Sequence, residues 1–126
     1  MKKIASYSLI SILGLLIFFH LLILIGVIPY DIVWGGRLDS KVAMVKFETI
    51  SLLVNLVFLL IVLVRAEIIK IAIPPIITTI LLWGMVGLFV LNTFGNLLST
   101  NRWEKIIFTP MTILLTIFCV ILALDK

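Results

Sequence analysis

Four stretches of this chain contain no Asp, Glu, Lys or Arg: Ile4 to Ile28, Thr49 to Val64, Ala72 to Thr100 and Ile106 to Leu124. Apolar runs of about 18 residues or more are long enough to cross a hydrocarbon core about 30 Å thick. Inside lipid, backbone N–H and C=O groups must be bonded within their own segment, so each run is helical despite its many β-branched residues. Composition leaves no soluble alternative. Of 126 residues, 63% are hydrophobic and 13% are charged, more apolar surface than one small core can hide. The sequence therefore predicts an all-α membrane protein, an antiparallel up-down bundle of four transmembrane helices. It forms a single domain, with helices over residues 4–28, 41–64, 75–98 and 102–124.

Local signals set those limits. Pro29 stops the first helix, and the Gly35-Gly36 pair in the connector allows unusual dihedrals before Asp39 or Ser40 caps the second. That second helix enters lipid near Phe47. Arg65, Glu67 and Lys70 read as a short polar turn, and Pro75 opens the third helix where a missing N–H costs nothing. Asn101 caps the fourth with Glu104 at the third helical position, and Pro110 predicts a kink near Ile106. Lys2-Lys3 before an apolar stretch also resembles a secretion signal. The stretch is too long for one, however, and Ile28-Pro29-Tyr30 is no small-residue cleavage site, so a retained helix is expected.

A net charge of +4 does not point to nucleic acid, because the basic residues are spread over both ends of the helices as interfacial anchors. Lys2, Lys3, Arg65, Lys70 and Lys126 share the face of the termini; Arg37, Lys41, Lys46, Arg102 and Lys105 share the other. That balance gives no majority. The usual weight of the first helix places the protein in the cell membrane with its termini in the cytoplasm.

Each helix carries polar residues along one side. Glu48, Ser51 and Asn55 recur at i, i+3 and i+7; Asn92, Asn96 and Ser99 at i, i+4 and i+7; Thr109, Thr112, Thr116 and Cys119 at i, i+3, i+7 and i+10. The first helix contributes His20 alone. Stripes of this kind point into a bundle. At about 1.5 Å per residue, His20, Glu48, Asn92 and Thr109 all fall roughly 10–13 Å from the helix ends nearer Trp34 and Trp103. A shared level suggests an intramembrane polar pocket in that half, lined by His20, Glu48, Asn55, Asn92 and Asn96. Trp34 would lie beside it, and Arg37 would fold over to Glu48 or Glu104. The plainer reading makes the asparagines hydrogen-bonding glue between helices, the threonines packing, and the tryptophans an aromatic belt.

Reaction chemistry has little to work with. One His and one Cys do not make a usual metal site, and Glu48 reads as the only acid within the core. No phosphate-cradling loop, nucleophile elbow or carboxylate pair occurs. No metal or cofactor is expected, and an enzyme is the weakest reading.

The pattern Trp34-Gly35-Gly36-Arg37, Glu48, Asn55, Asn92-Thr93, Gly95-Asn96, Glu104-Lys105 and Phe108-Thr109-Pro110 resembles a family of small, uncharacterised bacterial membrane proteins with four helices. The resemblance covers nearly the whole chain and implies no activity. Size and helix count are also similar to the small multidrug transporters, whose essential acid lies in the first helix; here that helix has none. Sterol-isomerase-like and sigma-2-receptor-like proteins share only the general shape. The expected function is binding or transport of a small molecule or lipid in the polar pocket. The alternative is an accessory subunit whose stripes only lock helices together. Partners are then the bilayer, a small ligand and further copies of the chain, with no nucleic acid.

Overall fold

A computed structural model describes residues 1–29, 40–99 and 102–125. It contains α1 (Lys2–Leu24), α2 (Lys41–Arg65), α3 (Pro75–Leu97) and α4 (Arg102–Leu124). The shortest of these has 23 residues and is about 35 Å long, sufficient to span a bilayer. The outward faces are apolar. Phe18, Ile80, Leu91 and Leu124 are all exposed at the bundle surface, an arrangement that hydrocarbon favours and water does not. The protein is an integral, multi-pass membrane protein built as a four-helix bundle.

Helix ends follow from local chemistry, with one correction to the sequence reading. The Ser40 hydroxyl accepts from the Ala43 N–H at 3.1 Å and caps α2, and Pro75 takes the first position of α3. By contrast α1 ends at Leu24, before Ile28 and well before Pro29. Gly26, at φ +87°, turns the chain into the left-handed region, so that the Gly26 N–H reaches the Ile23 carbonyl and the Val27 N–H reaches that of Leu22. This closure satisfies carbonyls that the helix end leaves over, and glycine makes it at no steric cost. Glu67 closes α2 in the same way at φ 63°, where a side chain is strained. The helix α4 runs on through Pro110, whose ring leaves the Ile106 carbonyl without its usual donor. The Asn101 cap and the connector with Trp34, Gly35, Gly36 and Arg37 lie outside the described residues.

Packing is uneven around the bundle. Extensive contact joins α3 to α4 and α1 to α2, less joins α1 to α4, and the α2–α3 seam is the loosest. The main core draws on Leu9 and Leu13 of α1, Phe58 and Val62 of α2, Leu82 and Met85 of α3, and Leu115 and Leu122 of α4. These positions all lie in the half of the bundle that holds the chain termini. Ile23 and Met44 form a smaller apolar contact at the opposite end.

Arg65 closes the terminal half. The sequence reading placed it in a polar turn; instead it is the last residue of α2 and its guanidinium reaches into the bundle. It donates to the Pro75 carbonyl at 3.1 Å, the Thr78 hydroxyl at 3.0 Å and the Thr79 hydroxyl at 2.6 Å. It also donates to the carbonyls of Ala123 and Asp125. The terminal carbonyls of α4 lack intrahelical donors and carry the negative end of the helix dipole, so a fixed cation suits them. One side chain thereby ties the end of α2 to the start of α3 and the end of α4. Arg65→Ala is expected to lower unfolding stability in mild detergent by about 2–3 kcal/mol, the worth of hydrogen bonds to a charged group. Arg65→Lys should recover less than half of that loss, because an ammonium lacks the planar fork that reaches both helices.

Candidate functional site

The opposite half of the bundle is hollow. A cavity of about 550 Å³ lies between the four helices and opens at the loose α2–α3 seam. Its size is that of small-molecule sites in general. The rings of Phe58 and Phe89, 5.3 Å apart and at 73° to each other, form its floor, where it meets the main core to which both belong.

Of the residues singled out in the sequence, His20, Glu48, Asn55, Asn92 and Asn96 all border this space. Trp34 and Arg37 lie outside the described residues. Ser51, from the same stripe as Glu48 and Asn55, is also on the wall. The spacing of i, i+3 and i+7 explains why: it sets one side of α2 toward the hollow. Burial differs among these groups. Glu48 is 0% exposed and Asn55 is buried, Asn96 is half-buried, and Asn92 is exposed at the lip of the seam. A polar side chain at the lip is the one departure from a stripe directed wholly inward. It follows from the splay of α2 from α3.

At the centre of the wall is a hydrogen-bonded pair between helices. His20 Nδ1 and Glu48 Oε2 are hydrogen-bonded, joining α1 to α2. The His20 ring is also held edge-on by Phe19, with centroids 6.1 Å apart. A carboxylate buried at this depth is costly without a donor, and the imidazole supplies one. Asn55 is oriented by its own helix, with Nδ2 donating to the Ser51 carbonyl at 2.8 Å.

Sequence reasoning left one acid off this wall and set Thr112 on an inward stripe without assigning it to the pocket. Glu104, read as a helix cap and as lying outside the core, is buried and borders the cavity, and it accepts from the Ser99 hydroxyl at 2.8 Å. The sign was available, since an acid in the first turn of a membrane helix is buried if that turn starts below the interface. Thr112 also reaches the cavity, and its hydroxyl lies 2.9 Å from that of Thr93, joining α4 to α3. Within its own helix Thr112 donates to the Thr109 carbonyl, and Thr116 donates to that of Thr112. Thr109 and Cys119 of the same stripe are buried, and Cys119 belongs to the apolar core.

A second, smaller hollow of about 360 Å³ lies between α1 and α4. Its wall is hydrocarbon and aromatic apart from Glu104, and the rings of Phe19 and Phe108, 5.0 Å apart and tilted at 59°, border both hollows. Among the described residues, no three His, Cys, Asp or Glu side chains converge to hold a metal ion.

The asparagines decide between a site and helix glue. Neither Asn92 nor Asn96 makes a side-chain hydrogen bond among the described residues, although both are on the cavity wall. Among the described residues around the cavity, hydrogen bonds between helix side chains include His20–Glu48 and Thr93–Thr112 instead. Asn92→Leu and Asn96→Leu should therefore each leave unfolding stability within about 0.5 kcal/mol of the parent, or raise it. Losses of about 1 kcal/mol, the worth of an interhelical hydrogen bond in lipid, would return them to a packing role.

Compared with known protein families, with curated proteins and with solved structures, the chain matches none.

Proposed function

We propose that this protein binds a small, membrane-soluble molecule in the cavity between its helices, as a binding protein or as the binding step of a transporter. The observation that carries this reading is the pair of amides, Asn92 and Asn96, on the wall of a hollow with no side-chain hydrogen bond among the described residues. Polar groups within a membrane span are costly unless they are matched. Groups left unmatched among the described residues are suited to matching a ligand. The same wall supplies apolar surface from Phe58, Leu88 and Phe89, the mixture usual for sites that recognise small molecules.

An accessory subunit with no ligand is the second reading, favoured by the His20–Glu48 and Thr93–Thr112 bonds, which lock helices in pairs. The topology puts both chain ends on one face, where Lys2 and Asp125 lie 3.7 Å apart. We assign that face to the cytoplasm of the cell on the strength of the Lys2-Lys3 pair.

Gly95 provides the test. It borders the cavity, and a Cβ built on it meets no atom within 4 Å, so a larger side chain there fills the hollow without a clash. Gly84 also has open space but lies away from the cavity. Protein purified in mild detergent should carry a defined small molecule into organic extract, seen by mass spectrometry. Gly84→Leu should retain it and Gly95→Leu should lose at least about nine-tenths of it, a tenfold fall that corresponds to about 1.4 kcal/mol. The same extract from all three proteins would overturn the reading.

A further inference from the structure

We infer that the ligand of this cavity is a membrane-soluble alcohol whose hydroxyl donates to Nε2 of His20. The inference rests on the reading of the cavity as a binding site and adds to it the chemistry of the head group.

It begins with the His20–Glu48 bond. With Glu48 as a carboxylate, which only accepts, a neutral His20 carries its proton on Nδ1 and donates to Glu48 Oε2. In a neutral imidazole with Nδ1 protonated, Nε2 presents a lone pair and is an acceptor. The partner of one ring nitrogen thus sets what the other offers, as it does for histidines held by carboxylates in metal and catalytic sites. Here Nε2 has no hydrogen-bond partner among the described residues, and it is not sealed from the hollow. An acceptor held in fixed orientation on the cavity wall calls for a donor on the ligand.

The remaining groups narrow the class. Asn92 and Asn96 each carry an amide NH₂ and a carbonyl, so they can donate to the ligand's lone pairs. A hydroxyl brings one donor and two acceptor sites on one atom, which fits an imidazole acceptor flanked by amides. A carboxylate or phosphate diester head brings no proton to Nε2. The body of the ligand is hydrocarbon, since Leu16, Phe58, Leu88 and Phe89 cover much of the remaining surface. Its route is lateral. The cavity opens at the α2–α3 seam, where Leu88 and Leu91 are exposed toward lipid and Asn92 sits at the lip.

His20 is the only histidine in the chain, which gives the inference a direct readout. The full-length protein, labelled with ¹⁵N-histidine and carrying no histidine tag, is placed in lipid nanodiscs at neutral pH. Its two ring nitrogens are then observed alone. Nδ1 is expected as the protonated nitrogen and Nε2 as the unprotonated one. Hexadecanol should move the Nε2 resonance saturably, and hexadecyl methyl ether, which has no donor, should produce less than one-fifth of that shift. Gly95→Leu should abolish the response while leaving the two resonances of the ligand-free protein in place.

A protonated Nε2 in the ligand-free protein would overturn the inference, as would an alcohol that leaves Nε2 unmoved. If the ether or hexadecylammonium binds wild type and not Gly95→Leu while the alcohol has no effect, the cavity stands as a site and only the alcohol falls. If no alkyl probe distinguishes wild type from Gly95→Leu, the site and the alcohol fall together.

Discussion

A carboxylate with no exposed surface, inside a helix that crosses lipid, is the constraint around which this bundle is arranged. Moving Glu48 out of water costs several kcal/mol unless donors meet it where it is. His20 meets it from α1. The bond fixes the rotation of both helices about their axes, since each side chain must face the other. With α2 so rotated, Ser51 and Asn55 face the same interior, three and seven residues further along. One pairing therefore determines which side of α2 lines the cavity.

The rest of the bundle divides the work by halves. Near the termini, Leu, Val and Met side chains fill the space and Arg65 ties three helices together. Nearer the other end, α2 and α3 lose contact and the interior becomes a cavity floored by Phe58 and Phe89. Close packing makes the terminal half rigid, and the cavity lies along the loosest seam of the bundle. A hollow of this kind is stable in lipid only because its wall is partly apolar and its two buried acids are bonded, Glu48 to His20 and Glu104 to Ser99.

The four helices were legible because lipid imposes a simple rule, long runs without charge, and the chain follows it. The inward stripes were legible for a related reason: polar residues are scarce enough in such runs that their spacing stands out. Glu48 and Asn55 could thus be placed on one wall with His20 and Asn96 before any coordinates. What escaped was chemistry at the ends of the helices. Gly26 terminates α1 through its backbone conformation, which Pro29 masked in the sequence by offering a more obvious stop. Arg65 reads as an interfacial anchor because its partners, Thr78 and the carbonyl of Asp125, are distant in sequence and three of its acceptors are carbonyls without a side-chain signature. Glu104 was hidden by its second identity as a capping residue. Asn92 was placed on the right helix face, but the splay of α3 that brings it to the lip depends on packing that no periodicity reports.

The central claim is that His20 and Glu48 act as one unit that holds α1 to α2 and shapes the cavity wall. A double-mutant cycle with His20→Ala and Glu48→Gln, read by reversible unfolding in lipid–detergent bicelles, measures that directly. The two losses should fail to add, with a coupling of about 1–3 kcal/mol, because either change alone already removes the bond. Losses that add to within about 0.5 kcal/mol would contradict the account, showing that the two side chains are neighbours without being partners.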